Sequence, residues 1–309
     1  MIHYKAFQWL FFFYMYCFFG WCFESAYVSA KSRKLVNRGF MRGPFLPLYG
    51  SGAIMMLVVS MPFQENIFMT YIAGVIGATT LEYVTGVAME ALFKVRYWDY
   101  SNQRFNFQGH ICLSSSLAWG FLTILMTRVV HRPIEQLVFS IPGNVLFYVT
   151  AFLTVYIVAD FTLSFKAALD LRDILIKMQR VKEELERMQR RLDVIIAFNN
   201  DEKEQKKQER ELTISELSHS LKLRFAGLKE SIQTKPSAYG EGIREEIAEL
   251  RGKFSHYPDS QNNYKEMLDF YKRDMIRNNP TMASRKFKDS LEELKSIAVS
   301  EKEQKDEHE

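Results

Sequence analysis

Cysteine is scarce: Cys17, Cys22 and Cys112 are the only three in 309 residues, and all lie in apolar stretches. An odd number so placed supports neither a disulfide framework nor a paired metal site, and the three read as small hydrophobes. The chain has no Gly-x4-Gly-Lys-Ser/Thr phosphate loop, which excludes a Walker-type ATPase on this chain. Gly-x-Ser-x-Gly and His-Glu-x-x-His are missing as well, so no catalytic motif points to an enzyme. Charge is thin in the first half. Residues 1–165 hold 11 Lys+Arg and 7 Asp+Glu, and the remainder holds 29 of each sign. The net charge of +4 therefore belongs to the first half. A net-neutral tail of densely mixed charge gives no support to nucleic-acid binding. No cofactor is expected.

What the first half does have is long apolar runs. Five stand out, at about 6–28, 45–63, 67–93, 110–129 and 141–165. Each reaches the roughly 17–25 residues that a spanning helix needs. The first is aromatic at 12 of the 21 positions from Phe7 to Tyr27. It exceeds the roughly 7–15 apolar residues of a secretory signal and contains Glu24, so it reads as a retained helix. The fold class expected is all-α: a polytopic transmembrane bundle of about five spans, followed by a cytoplasmic helical tail.

Loop charge orients the bundle. Lys31, Arg33, Lys34, Arg38 and Arg42 follow the first run, while 64–66 carries no cation. Lys94, Arg96 and Arg104 follow the third. By the positive-inside rule these two loops are cytoplasmic, the N-terminus is outside and the tail is inside. Arg128 and Arg132 run mildly against this assignment, and a re-entrant pair of segments two and three would change the count. On this assignment Glu24, Glu82, Glu90 and Asp160 all fall in the inner half of the membrane. Ionisable groups in spanning helices are costly, face the bundle interior or a wet cavity, and are functional candidates by default. Gly74, Ala78, Glu82, Gly86 and Glu90 recur every four residues, a stripe that lets another helix approach closely.

The loops add partners. Arg38 and Arg42 sit before Gly43-Pro44, beside the N-terminus of helix two. They suit an anion, a pairing with Glu24 or Glu90, or lipid headgroups. The next basic loop brings Arg96, Asp99, Asn106 and His110 among the interfacial aromatics Tyr97, Trp98 and Tyr100. The candidate substrate or ion site is therefore Glu24, Arg42, Glu82, Glu90, Arg96, Asp99, Asn106 and His110. No metal site and no catalytic residue is assigned.

These stretches resemble the CmpB-type ABC-transporter permease family. The resemblance rests on Gly20-Trp21 through Glu24, on Arg38-Gly-Phe40 with Gly43-Pro44 and Pro47 through Gly50, and on Leu81-Glu82-Tyr83 with Thr85-Gly86 and Met89-Glu90. It continues through Arg96 to Ser101, Asn106, Gly109, Ile111 to Leu113, Ser116 and Trp119-Gly120. It covers about residues 5–165. It implies a multi-pass bacterial cell-membrane protein concerned with transport, whose ATPase would be a separate subunit. It carries over no substrate and no catalytic residue.

The tail reads differently. Leu171, Ile174, Met178, Val181, Leu185, Met188, Leu192 and Ile195 alternate spacings of three and four, which is a heptad seam. One helix is expected to leave the membrane and continue over 166–200, pairing through 171–195 with a second copy or folding back on another tail helix. Helices are expected at about 211–233, 241–254, 261–278 and 284–300, with 301–309 without order. The leading function is a transport-associated membrane protein with a cytosol-facing polar site. The alternatives are a non-transporting scaffold that recruits partners through its tail, and, ranked last, a membrane-embedded enzyme acting on lipids. The expected partners are membrane lipids, an ATPase subunit and a second copy or partner helices.

Overall fold

The computed structural model describes residues 4–199, 213–234, 240–255, 257, 264 and 266–306. The helices in chain order are α1 (Ala6–Ser32), α2 (Pro47–Ser60), α3 (Ile67–Phe93), α4 (Leu113–Leu125), α5 (His131–Ser140) and α6 (Gly143–Asn199). Then come α7 (Ile214–Thr234), α8 (Glu241–Ser255), α9 (Phe270–Asn278) and α10 (Lys288–Asp306). The strands described are β1 (Asn106–Phe107) and β2 (Ile111–Cys112), a short antiparallel hairpin. The chain divides into two compact units, one of Met1–Leu171 with Phe270–Arg285, the other of Arg172–Asp269 with Lys286–Glu309.

Local chemistry sets the ends of the first unit's helices. The Asn66 side chain accepts from the N–H groups of Phe68 and Met69, both at 3.1 Å, and caps α3. At the far end Lys94 turns left-handed (φ 60°) and donates its N–H to the Glu90 carbonyl. Pro47 occupies the first turn of α2, where a missing N–H costs nothing. Pro133 lacks an N–H inside the following apolar run, and a π-helical turn at Met126–Val130 absorbs the defect. The helix therefore continues through Leu113–Ser140 instead of ending near 129.

Among the described residues, four helices are long and apolar enough to cross a membrane: Ala6–Lys31, Ile67–Phe93, Leu113–Ser140 and Gly143–Ile196. The remaining apolar stretch, expected at 45–63, gives the shorter helix Pro47–Phe63. Pro47 at one end and Pro62 at the other limit its length.

The aromatic face of α1 builds the core of this unit. Phe12 is fully buried among Tyr16, Met56, Ala78, Val138 and Leu146. The polar tips are matched: Tyr16 Oη lies 2.6 Å from His131 Nδ1, and Tyr4 Oη lies 3.0 Å from His131 Nε2. A second cluster gathers Tyr14, Cys17, Met41, Phe45 and Ile157.

In the second unit the heptad positions Ile174, Met178, Leu185, Met188, Leu192 and Ile195 are buried within the chain itself. So are Leu217, Leu221 and Leu228 of α7, and Leu291, Leu294 and Ile297 of α10. Ion pairs Arg224–Asp193 and Lys182–Asp289 tie α7 and α10 to α6. Of the two arrangements the seam allows, folding back on the chain's own helices is the one present. α10 runs to Asp306, well into the stretch expected to lack order. Residues 307–309, and the turn residues between the expected tail helices at 235–239 and 258–260, lie outside the described residues, as does the chain over 200–212.

Close packing of α1 on α2 is testable. A Cβ on Gly50 would come within 2.3 Å of Cys17 Sγ and 2.8 Å of the Phe13 carbonyl oxygen, whereas one on Gly52 meets nothing within 4 Å. Gly50→Ala is expected to cost about 1–3 kcal/mol of stability. Gly52→Ala, in the same helix, is expected to be neutral or stabilising by up to about 1 kcal/mol. Thermal unfolding of the two detergent-solubilised variants checks both.

Candidate functional site

The candidate acids Glu24, Glu82 and Glu90 do not share one set of partners; each gathers its own polar group, while Glu135 of the span Leu113–Ser140 accepts from Tyr4 instead. The stripe on α3 behaves as its spacing requires. Gly74, Ala78, Glu82 and Gly86 are all buried. A Cβ on Gly74 would lie 2.2 Å from Thr123 Oγ1, so α3 and the helix that begins at Leu113 pack against each other there.

Glu82 lies deepest. Its Oε1 accepts from Tyr100 Oη at 3.0 Å. Its Oε2 accepts from Trp119 Nε1 at 2.9 Å and from Ser115 Oγ at 3.4 Å. The Ser115 hydroxyl has one hydrogen and lies closer to the Cys112 carbonyl, at 3.0 Å, so Tyr100 and Trp119 are the main donors; all these neighbours are neutral, and Glu82 makes no ion pair among the described residues. Tyr100 comes from the loop after α3, and burial and then the Glu82 charge push its phenol above the ordinary range.

Glu90, two turns on, is an ion-pair acid. Arg96 Nη2 donates to Glu90 Oε2 at 2.7 Å, and Arg96 Nη1 donates to Asp99 Oδ1 at 3.3 Å and to the Gln108 carbonyl at 3.0 Å. His110 Nε2 lies 3.0 Å from the same Glu90 oxygen. Arg96 is buried, yet its two carboxylates outweigh that burial and hold its pKa above the ordinary value. Gly109, at φ 76°, makes room: a Cβ there would sit 2.6 Å from Arg96 Nη1. Asp99 is held below the usual carboxylate range, because hydrogen bonds from Ser101 and the charge of Arg96 outweigh burial. His110 is shifted down by burial and then by Arg96.

The third group surrounds Glu24. Tyr49 Oη donates to Glu24 Oε2 at 2.6 Å, and Arg38 Nε lies 3.6 Å from Oε1. The rest of the buried Arg38 guanidinium is taken by Asn279 Oδ1 at 2.8 Å, Thr281 Oγ1 at 2.8 Å and the Tyr97 carbonyl at 3.2 Å. Burial lowers the Arg38 pKa, and Glu24 opposes the shift.

Two candidates fall elsewhere. Arg42 does not join the acids: it pairs with Asp274 at 3.5 Å and lies over the rings of Phe270 and Tyr271. Asn106 braces the hairpin loop, donating to the Ser101 and Gln103 carbonyls and accepting from the Gly109 N–H. Asp160 accepts from the Gly43 N–H at 2.8 Å and so fastens α6 to the first loop.

Several participants lie outside the candidate set. Tyr49, Tyr100, Ser115 and Trp119 supply donors that charge counting passes over. Less expected is the segment 270–285, which belongs to this unit although it lies some hundred residues beyond the last span. Arg96 and Ala283 exchange backbone hydrogen bonds at 2.7 and 2.9 Å. Asn279 Nδ2 donates to the Gly39 carbonyl at 3.0 Å, and Ser284 Oγ to the Lys94 carbonyl at 2.7 Å. Arg285 Nη2 donates to Ser101 Oγ at 3.0 Å and to the Gln108 carbonyl at 3.1 Å. The only local signal for this strap is the Asn278-Asn-Asn-Pro280 break.

Long apolar helices enclosing paired and hydrogen-bonded charges define a polytopic α-helical membrane protein. Residues 11–165, just over half of the chain, match the family described as "Putative ABC-transporter type IV", and the chain belongs to that family. No curated protein and no solved structure matches the chain.

Two outcomes follow from the Arg96 group. Arg96→Met removes the guanidinium that Glu90 and Asp99 share; both acids are partly exposed and keep His110 and Ser101 as partners, so the expected cost is about 1–3 kcal/mol, read by thermal unfolding. His110 has a depressed pKa in the folded state, so its contribution is present above the ordinary value near 6.5 and is lost as pH falls through the lower, folded value. Melting temperature should therefore be flat from about pH 7.5 to 6.5 and decline below that. In His110→Gln the part of that decline nearest pH 6 should shrink.

Proposed function

We propose that this chain is the membrane-spanning, permease-type component of an ATP-driven transport assembly whose ATPase is a separate subunit. The family supports the transport class. Positive-inside counting supports an inner-face location for the loops that carry Arg38, Arg42 and Arg96, and hence for the polar groups. One observation carries the mechanistic reading: Glu82 is a buried acid in a spanning helix, bound by the neutral donors Tyr100 and Trp119 and, among the described residues, by no cation. A carboxylate so placed is the group in the bundle that a proton, a cation or a polar substrate can engage. Glu90 and Glu24 already have guanidinium partners and serve to hold the loops around it.

A second reading is favoured by the strap. A tail segment that bonds to Arg38, Arg96 and the hairpin loop suits a scaffold in which the tail reports the state of the membrane part to a partner.

Capture of the tagged full chain from its native membrane tests the first reading. An ATPase subunit is expected to co-purify. Glu82→Gln is expected to leave the complex assembled and change its ATP turnover at least several-fold. Assembly with unchanged turnover would remove Glu82 from the mechanism, and repeated capture of a non-ATPase partner by the tail alone would favour the scaffold.

A further inference from the structure

The outer face of α4 carries a feature that none of the three acid groups uses. Leu113, Leu117, Phe121 and Leu125 recur every fourth residue and are all exposed. They form a continuous ladder about 18 Å long at 1.5 Å per residue, slightly more than half of the roughly 30 Å hydrocarbon core. Two open concavities lie along it. The first, of about 540 Å³, is lined by Ser115, Ala118, Trp119, Phe121, Leu122 and Leu125. The second, of about 560 Å³, shares the ladder through Leu113 and Leu117 and is completed by Phe105 and by the polar residues Asn102, Gln103, Arg104 and Ser114. The apolar groove thus ends, at the loop end of the helix, beside a cation.

Arg104 makes no ion pair among the described residues, unlike the buried Arg38 and Arg96. Phe105, next to it, is 80% exposed and held left-handed at φ 53°. That backbone region is unfavourable for a bulky side chain, and such strain clusters at binding sites. Ser114 borders the same concavity from the first turn of α4.

We propose that this groove binds one anionic phospholipid, with an acyl chain along the Leu117–Leu125 face and the phosphate at Arg104. Charge complementarity identifies the occupant. An exposed arginine in the loop that leads into α4, with no ion pair among the described residues, attracts an anionic phosphate, and the apolar ladder that follows it is about as long as one leaflet is thick. Trp119 and Ser115 line the first concavity and also contact Glu82, so a lipid there lies one side chain away from the buried acid. The inference goes beyond the transport reading and stands or falls without it, because it concerns binding alone.

The test is native mass spectrometry of the full chain, reconstituted in vesicles of phosphatidylglycerol and phosphatidylcholine at equal amounts and then extracted in mild detergent. The wild type should retain phosphatidylglycerol several-fold over phosphatidylcholine. Arg104→Gln, in an exposed loop, should abolish the preference. Ala118→Phe, which fills the exposed groove, should reduce retention of both lipids. Arg128→Gln, whose guanidinium bonds the Gln64 carbonyl, should behave as wild type. Equal retention of both lipids by the wild type would mean adventitious bilayer lipid only and overturn the proposal. A preference that survives Arg104→Gln would overturn it as well, whatever the ATP turnover of Glu82→Gln proves to be.

Discussion

The guanidinium of Arg96 is the contact on which the polar end of the bundle depends. It closes on Glu90 from the last turns of α3, on Asp99 from its own loop and on the Gln108 carbonyl of the hairpin turn. Its backbone pairs with Ala283 of the strap. A planar fork with five donors can serve three directions at once, which an ammonium cannot do with the same geometry. Burial makes each of those contacts expensive to leave unmade. The ion pairs therefore act less as a source of net stability than as a rule about register: α3, the hairpin and the strap each have one position at which all the charges are matched.

The same rule applied at lower dielectric explains why Glu82 differs from Glu90. Both lie on one stripe of α3, two turns apart. Glu90 lies at the helix end, where the loop can bring a cation to it. Glu82 is deeper, and the neighbours that reach it are an indole, a phenol and a hydroxyl. Tyr100 and Trp119 satisfy one oxygen each without bringing a charge. A structural acid with a partner and an acid without one can thus follow from depth alone.

Much of this was legible from residue spacing. The apolar runs, the small-residue stripe and the heptad seam are periodic signals, and periodicity survives in a single sequence. The pairing of Arg96 with Glu90 and Asp99 was also within reach, because those residues are near neighbours along the chain. Span length was less legible. Pro47 and Pro62 shorten the second helix, while Pro133 fails to end the fourth because a π-helical turn absorbs it. The pairing of Arg42 is not legible locally, because its partner, Asp274, is more than two hundred residues away. Neutral donors such as Trp119 and Tyr100 read as interfacial aromatics until their depth is known.

The strap shows most clearly what local reading leaves out. Residues 270–278 look like one more amphipathic tail helix, yet they and the seven residues after them belong with the membrane-spanning part. Their contacts are specific rather than greasy: Asn279 both accepts from Arg38 and donates to the Gly39 carbonyl. A buried amide satisfied on both sides fixes orientation far better than apolar contact does, because a shifted position would leave polar atoms unpaired. Arg38 is shared between Glu24, on a spanning helix, and Asn279 and Thr281, on the strap. Any change that alters the demand of Glu24 on that guanidinium must be felt by the strap. The chain beyond the last span is thereby joined to the charge state of the first one through a single side chain.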